Sequence, residues 1–222
     1  MTEARHASKT RLLEAALGVI RAKGYSATRV EDVCAAAGVT KGSFFHHFDT
    51  KEELALEAAA YWDAMTGGLF SAAEYHRRPR ALDRLLAYVD LRKALLKGEL
   101  PEFTCLVGTM VQEVYGTQPA IREACERSIC GHAATLEVDI AEAMRDAGIK
   151  EGETGEGETG EGKAGAAWTA ASLALHTQAV IQGAFILAKA KGSADFAAES
   201  LDHLRRYLEL LLAVPAVTAQ AA

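Results

Sequence analysis

With 222 residues, half of them apolar, and a net charge of -6, the chain can bury a core in one large domain, or in a small one joined to a larger one; this excludes wholesale disorder. Its four cysteines, Cys34, Cys105, Cys125 and Cys130, form no C-x-x-C pair and read as reduced thiols. Residues 1–11 are polar and charged, and no apolar run approaches the ~20 residues of a membrane span, so the expectation is a cytoplasmic protein with no membrane partner.

An acidic total argues against a nucleic-acid partner, but the charge is unevenly spread. Residues 1–51 hold eight Lys and Arg against five Asp and Glu, which leaves the acidic excess to the remainder. A basic head on an acidic body is what a DNA contact confined to the N-terminus requires.

Helical periodicity runs through nearly every segment, and β-branched runs bounded by turn pairs are missing, so the fold class is all-α. Leu13, Ala16, Leu17 and Ile20 form the stripe of a first helix that stops at Gly24. Thr28 and Glu31 have capping-box spacing ahead of a short second helix with Val30, Val33, Cys34 and Ala37, ended by Gly38. Thr40 is placed to cap a third helix through Phe48, and Thr50 with Glu53 to open a long fourth carrying Leu54, Ala58, Tyr61, Trp62 and Met65. Pro79 opens a fifth helix, with Leu82 to Leu96 on its stripe. Pro101 opens another through Val114, and Pro119 a seventh through Ile140 that Gly148 ends. Residues 150–163 contain an acidic Gly-rich repeat, EGETG-EGETG-EG, expected as a disordered loop. A helix over 164–190 is apolar on more than one face, and a last one carries Phe196, Leu201, Leu204, Leu208, Leu211 and Leu212. A helix buried on two sides suits one face toward its own subunit and one toward a second copy, so a homodimer through the last two helices is expected. Residues 215–222 read as a frayed end.

Two short helices around a Gly-containing turn within residues 28–48 match a helix-turn-helix, although an ordinary helical hairpin has the same outline. The string AAAGVTKGSFFHHFDTKEEL, Ala35 to Leu54, resembles the signature of the TetR/AcrR family of bacterial repressors, and the preceding GYSATRVEDV fits it too. The resemblance covers residues about 8–55. It implies about nine helices, three of them in a DNA-binding head over 1–50, and an effector-binding and dimerisation domain over 51–222 whose helix 51–67 is the connecting lever. The implied function is a transcriptional repressor that holds a palindromic double-stranded DNA operator as a homodimer and releases it when a small-molecule effector binds.

The DNA-facing candidates are Thr28, Arg29, Thr40, Lys41, Gly42, Ser43, Phe45, His47 and Lys51. Thr40 caps the recognition helix and its hydroxyl is in reach of a phosphate or base edge; Lys41, Gly42 and Ser43 follow at the positive end of the helix dipole. Lys51 is expected as a phosphate clamp. Phe44 and Phe48, at i and i+4, pin the recognition helix to the head's core. Phe45 stands where relatives often have Tyr, and Arg29 where Ser or Thr is frequent. The chain contains no Asn and the head no Gln, so base reading rests on Thr40, Lys41, Ser43 and His47, with DNA shape supplying the rest. Adjacent His46 and His47 point about 100° apart with no acidic or Cys ligand at i+4, so no metal site and no cofactor is expected.

The pocket candidates are Trp62, Met65, Phe70, Tyr88, Phe103, Cys105, Met110, Glu113, Trp168 and His176, with Gln178 and Gln182 as further polar groups; for each, plain core or surface placement is the alternative. The string TCLVGTMVQEV, Thr104 to Val114, resembles a stretch in family members that sense electrophiles through a thiol, while an isolated cysteine on an apolar helix is usually a small buried hydrophobe. An all-helical enzyme is the rival class, but no G-x-S-x-G, H-E-x-x-H, Walker A or Rossmann glycine pattern is present. An architectural DNA-binding protein is a second rival, and it leaves the long C-terminal body without a purpose.

Overall fold

The structure is a computed structural model that describes residues 2–150 and 168–213. Apart from Lys150, the Gly-rich segment lies outside the described residues, as does the chain's end. Among the described residues the regular structure is helical: α1 (Thr2–Lys23), α2 (Val30–Ala37), α3 (Lys41–Phe45), α4 (Lys51–Ser71), a 3-10 turn (Glu74–Arg77), α5 (Ala81–Ala94), α6 (Leu100–Phe103), α7 (Leu106–Val114), α8 (Pro119–Ala134), α9 (Glu137–Asp146), α10 (Ala170–Lys191) and α11 (Asp195–Leu212).

Two expected helices are each broken in two. The one begun by Pro101 stops at Phe103, because Thr104 and Cys105 are extended and Cys105 becomes the N-cap of α7, its sulfur accepting from Gly108 N–H at 3.3 Å. The one begun by Pro119 tightens at Thr135, whose hydroxyl donates to His132 O at 2.7 Å while Leu136 N–H reaches back three residues to Ala133 O. Thr104 is fully buried, and its hydroxyl is left without a hydrogen-bond partner. An unmet buried hydroxyl costs about 1 kcal/mol or more, so Thr104→Val is expected to raise the urea midpoint at unchanged slope.

The chain divides into two compact units, residues 1–73 with 97–131 and residues 74–96 with 132–222. In the first, the α1 stripe of Leu12, Leu13, Ala16, Leu17 and Ile20 shares one core with Val33, Phe44 and Phe48, with Leu54, Ala55, Ala58 and Ala59 of α4, and with Leu106, Val107, Met110 and Val114 of α7. The apolar face of the first helix is therefore covered by later helices as well as by α2 and α3. In the second unit α10 packs on α11 and α9, and α5 on α11 and α9. Arg84 of α5 ties it to α9 by ion pairs with Asp139 (2.8 Å) and Glu142 (2.5 Å).

Of the expected α4 stripe, Leu54 and Ala58 are buried, Tyr61 and Trp62 are half-buried and Met65 is exposed. The last helix buries Leu201, Leu204, Leu208 and Leu212 within its own unit and exposes Leu210. By length and composition α10 is apolar enough to cross a membrane, against the expectation of no such run; 39% of that stretch is buried inside the protein.

Candidate nucleic-acid interface

A helix that reads DNA must turn one face outward to the groove while the other is firmly held from behind. α3 is placed in that way. Phe44 and Phe48 point into the core at 0% and 1% exposure, their rings 5.5 Å apart, while Phe45 on the opposite side is 55% exposed. Thr40 caps the helix, its hydroxyl accepting from Ser43 N–H at 3.2 Å, and Gly38 ends α2 in the left-handed region at φ 63°. Thr40, Lys41, Gly42, Phe45 and His46 are exposed together, with Ser43 half-buried and Arg29 exposed at the head of α2. Lys41 pairs with Glu31, and that ammonium holds the Glu31 carboxyl below the ordinary carboxylate range.

Several sequence-based assignments are corrected. Thr28 is buried, its hydroxyl donating to Gly24 O at 2.6 Å, so it neither caps α2 nor faces outward. The N-cap is Arg29, whose N–H is met by Asp32 Oδ2 at 2.8 Å; Asp32, at N3, takes the role expected of Glu31. His47 is half-buried and hydrogen-bonded to Ser8 Oγ at 2.7 Å, which ties α3 to α1; His46 is the exposed one. Lys51 is no free clamp: its ammonium lies over the Tyr25 ring and donates to Tyr25 O, Ser26 O and Thr28 O. Sequence spacing could not show that three carbonyls of the α1–α2 turn converge on this lysine.

The pocket candidates are divided between the two units. Trp62, half-buried, lies under the Arg21 guanidinium at 5.1 Å, while Phe70 and Met110 are core residues and Phe103 is half-buried. Glu113 is exposed and turned to the α1–α2 turn, accepting from Tyr25 N–H (3.0 Å) and Ser26 N–H (2.7 Å). In the other unit Trp168 is half-buried and His176 is exposed, its ring against Tyr207 at 5.4 Å. Tyr88 is buried and hydrogen-bonded to Arg92, His132 and Gln178, of which Arg92 and His132 were not singled out from sequence. Burial drives the His132 pKa down to about 3, with the Arg92 charge adding to the shift. Cys105 is half-buried; the neighbouring Cys125 is fully buried, and desolvation pushes its thiol up to about 12. No group of three potential metal ligands occurs among the described residues.

Residues 12–58 match the family model of bacterial regulatory proteins, tetR family. CymR of Pseudomonas putida, an HTH-type transcriptional regulator, is 53% identical over 57 residues. The N-terminal head is thus similar to that of tetR-family regulators. That likeness spans 25% of this chain and 28% of CymR, and two further regulators are matched over 20% and 60% of their lengths. The likeness in fold extends beyond the head: a TetR-family transcriptional regulator from Agrobacterium tumefaciens superposes with a TM-score of 0.74 at 16% identity, covering 91% of this chain and 98% of that one. The reduced form of Escherichia coli NemR gives 0.69 at 20% identity, covering 95% and 99%. At these identities the likeness is one of fold.

Proposed function

We propose that this chain is a TetR-family transcriptional repressor of the cytoplasm that binds a palindromic operator as a homodimer and releases it when a small molecule binds the C-terminal helices. The observation that carries the reading is the geometry of α3, with two aromatic anchors behind it and Thr40, Lys41, Gly42 and Phe45 open in front. A side chain at Gly42 would meet only Thr40 Oγ1, at an ordinary 3.6 Å, so packing does not call for glycine there and close approach of a DNA backbone gives the reason. Dimerisation is supported by apolar side chains left open on the last two helices, Leu175, Ile186 and Leu187 of α10 and Tyr207 and Leu210 of α11. Effector release is a shift between two states, and the effector works only through its preference for one of them.

The test is selection of duplexes from a random pool by the full chain, followed by fluorescence anisotropy on the enriched sequence. The expected result is an inverted repeat bound by two chains, with log affinity falling linearly against log salt. No enrichment over random duplex sinks the reading.

A second reading, thiol sensing by Cys105, is favoured by one contact. The sulfur accepts the Gly108 N–H at the start of α7, which holds a half-buried thiol at the N-terminus of a helix. Addition to an electrophilic alkene would form an S–C bond while the far carbon takes a proton. Release of the enriched duplex by such an alkene, absent in Cys105→Ala, supports this reading; equal release in the variant removes it.

A further inference from the structure

The α1–α2 turn is held from two sides. Gly24 adopts φ 88°, and the N–H groups of Tyr25 and Ser26 that follow it converge on the Glu113 carboxylate of α7, one oxygen each. Successive backbone N–H groups turned to one side form a concave anion site, and here the anion is a side chain from a later helix. The approach is so close that a methyl group on Gly24 would lie 2.4 Å from Glu113 Oε1. Just beyond α7, Gln118 Oε1 accepts from the Tyr25 hydroxyl at 3.1 Å. From the other side, Lys51 of α4 donates to Tyr25 O at 3.1 Å, Ser26 O at 3.4 Å and Thr28 O at 3.1 Å. Donors of the turn are thus taken by α7 and acceptors by α4. α2 begins at Val30, directly after the turn, and carries α3 with it.

We propose that Glu113 is the positioning residue through which α7 holds the α1–α2 turn, and hence α2 and α3, in the orientation that binds DNA. The proposal rests on the regulator reading above and assigns the linkage to α7 as well as to α4. Charge-assisted bonds to backbone N–H are among the stronger hydrogen bonds, and two of them on adjacent residues fix both position and direction. A displacement of α7 against α4 must break one set or drag the turn, so the engaged carboxylate favours one placement of the recognition helix.

The experiment uses the full chain and the duplex that the wild type enriches, with a random duplex as reference. Glu113→Gln offers an N–H where an acceptor is needed, and is expected to weaken binding to the enriched duplex about ten-fold or more. Binding to the random duplex should change little, and amide exchange should quicken at Tyr25 and Ser26. Glu113→Asp, which keeps the charge on a shorter arm, should fall between. Gly24→Ala is strained at φ 88° in either background, and should weaken the enriched duplex more in the wild-type background than in Glu113→Ala, where the clash with the carboxylate is gone and only the backbone strain remains. A merely structural role would lower the folded fraction and leave the affinity of the folded protein, and its preference over random duplex, as in the wild type; that result overturns the proposal. Failure of the wild type to enrich any duplex removes the regulator reading and this proposal together, and is seen before any variant is made.

Discussion

Phe44→Ala is expected to lower stability by about 3–5 kcal/mol and to abolish sequence-selective DNA binding. α3 has five residues, too few to hold a helix by its own hydrogen bonds, so its shape depends on what it buries. Phe44 has no exposed surface and meets Phe48 at 5.5 Å and Phe45 edge-on at 5.2 Å. Removing the ring leaves a cavity in the core that α3 shares with α1 and α2, and frees the segment that carries Thr40 and Lys41. Phe45→Ala separates the two effects. That ring is exposed, so truncation should change stability by less than about 0.5 kcal/mol, while weakening the contact with DNA. Urea unfolding with anisotropy on the enriched duplex measures both; equal loss of stability in the two variants contradicts the assignment.

Tyr88→Phe is expected to cost about 3 kcal/mol or more through the groups it leaves behind. The Tyr88 oxygen accepts from Arg92 Nε at 2.9 Å and from Gln178 Nε2 at 3.0 Å. With both lone pairs used, its proton goes to His132 Nε2 at 2.9 Å, which makes that nitrogen the acceptor and His132 the neutral Nδ1–H tautomer. Removing one hydroxyl unsettles three partners, the half-buried Arg92 of α5 and His132 of α8 and the buried Gln178 of α10. The same cluster gives stability a pH dependence. His132 titrates at about 3 when folded and near its ordinary 6.5 when unfolded, so between those values the unfolded chain binds a proton that the folded chain refuses. Stability therefore falls as the pH drops from 6.5 toward 3. Unfolding free energies at pH 7 and pH 5 should differ by less in His132→Gln than in the wild type; an undiminished difference would show that another group carries the slope. A loss below about 1 kcal/mol in Tyr88→Phe would mean that water replaces the hydroxyl.

The sequence determined a good deal by itself. Local rules sufficed wherever the cause is local: the caps of α3 and α4 at Thr40 and Thr50, the left-handed end of α2 at Gly38, and the inward turn of Phe44 and Phe48 were all legible from spacing. Tertiary structure decided what partners that are distant in sequence decide. Thr28 reads as a cap until Gly24 O claims its hydroxyl, and Lys51 reads as a phosphate ligand until three carbonyls surround it. Glu113, 88 residues from Tyr25, reads as a pocket or surface carboxylate until the turn is built against it. The physical reason is that helical periodicity fixes which face a residue shares. Whether a polar side chain on that face meets solvent, DNA or another part of the backbone depends on packing between helices, which no local pattern encodes.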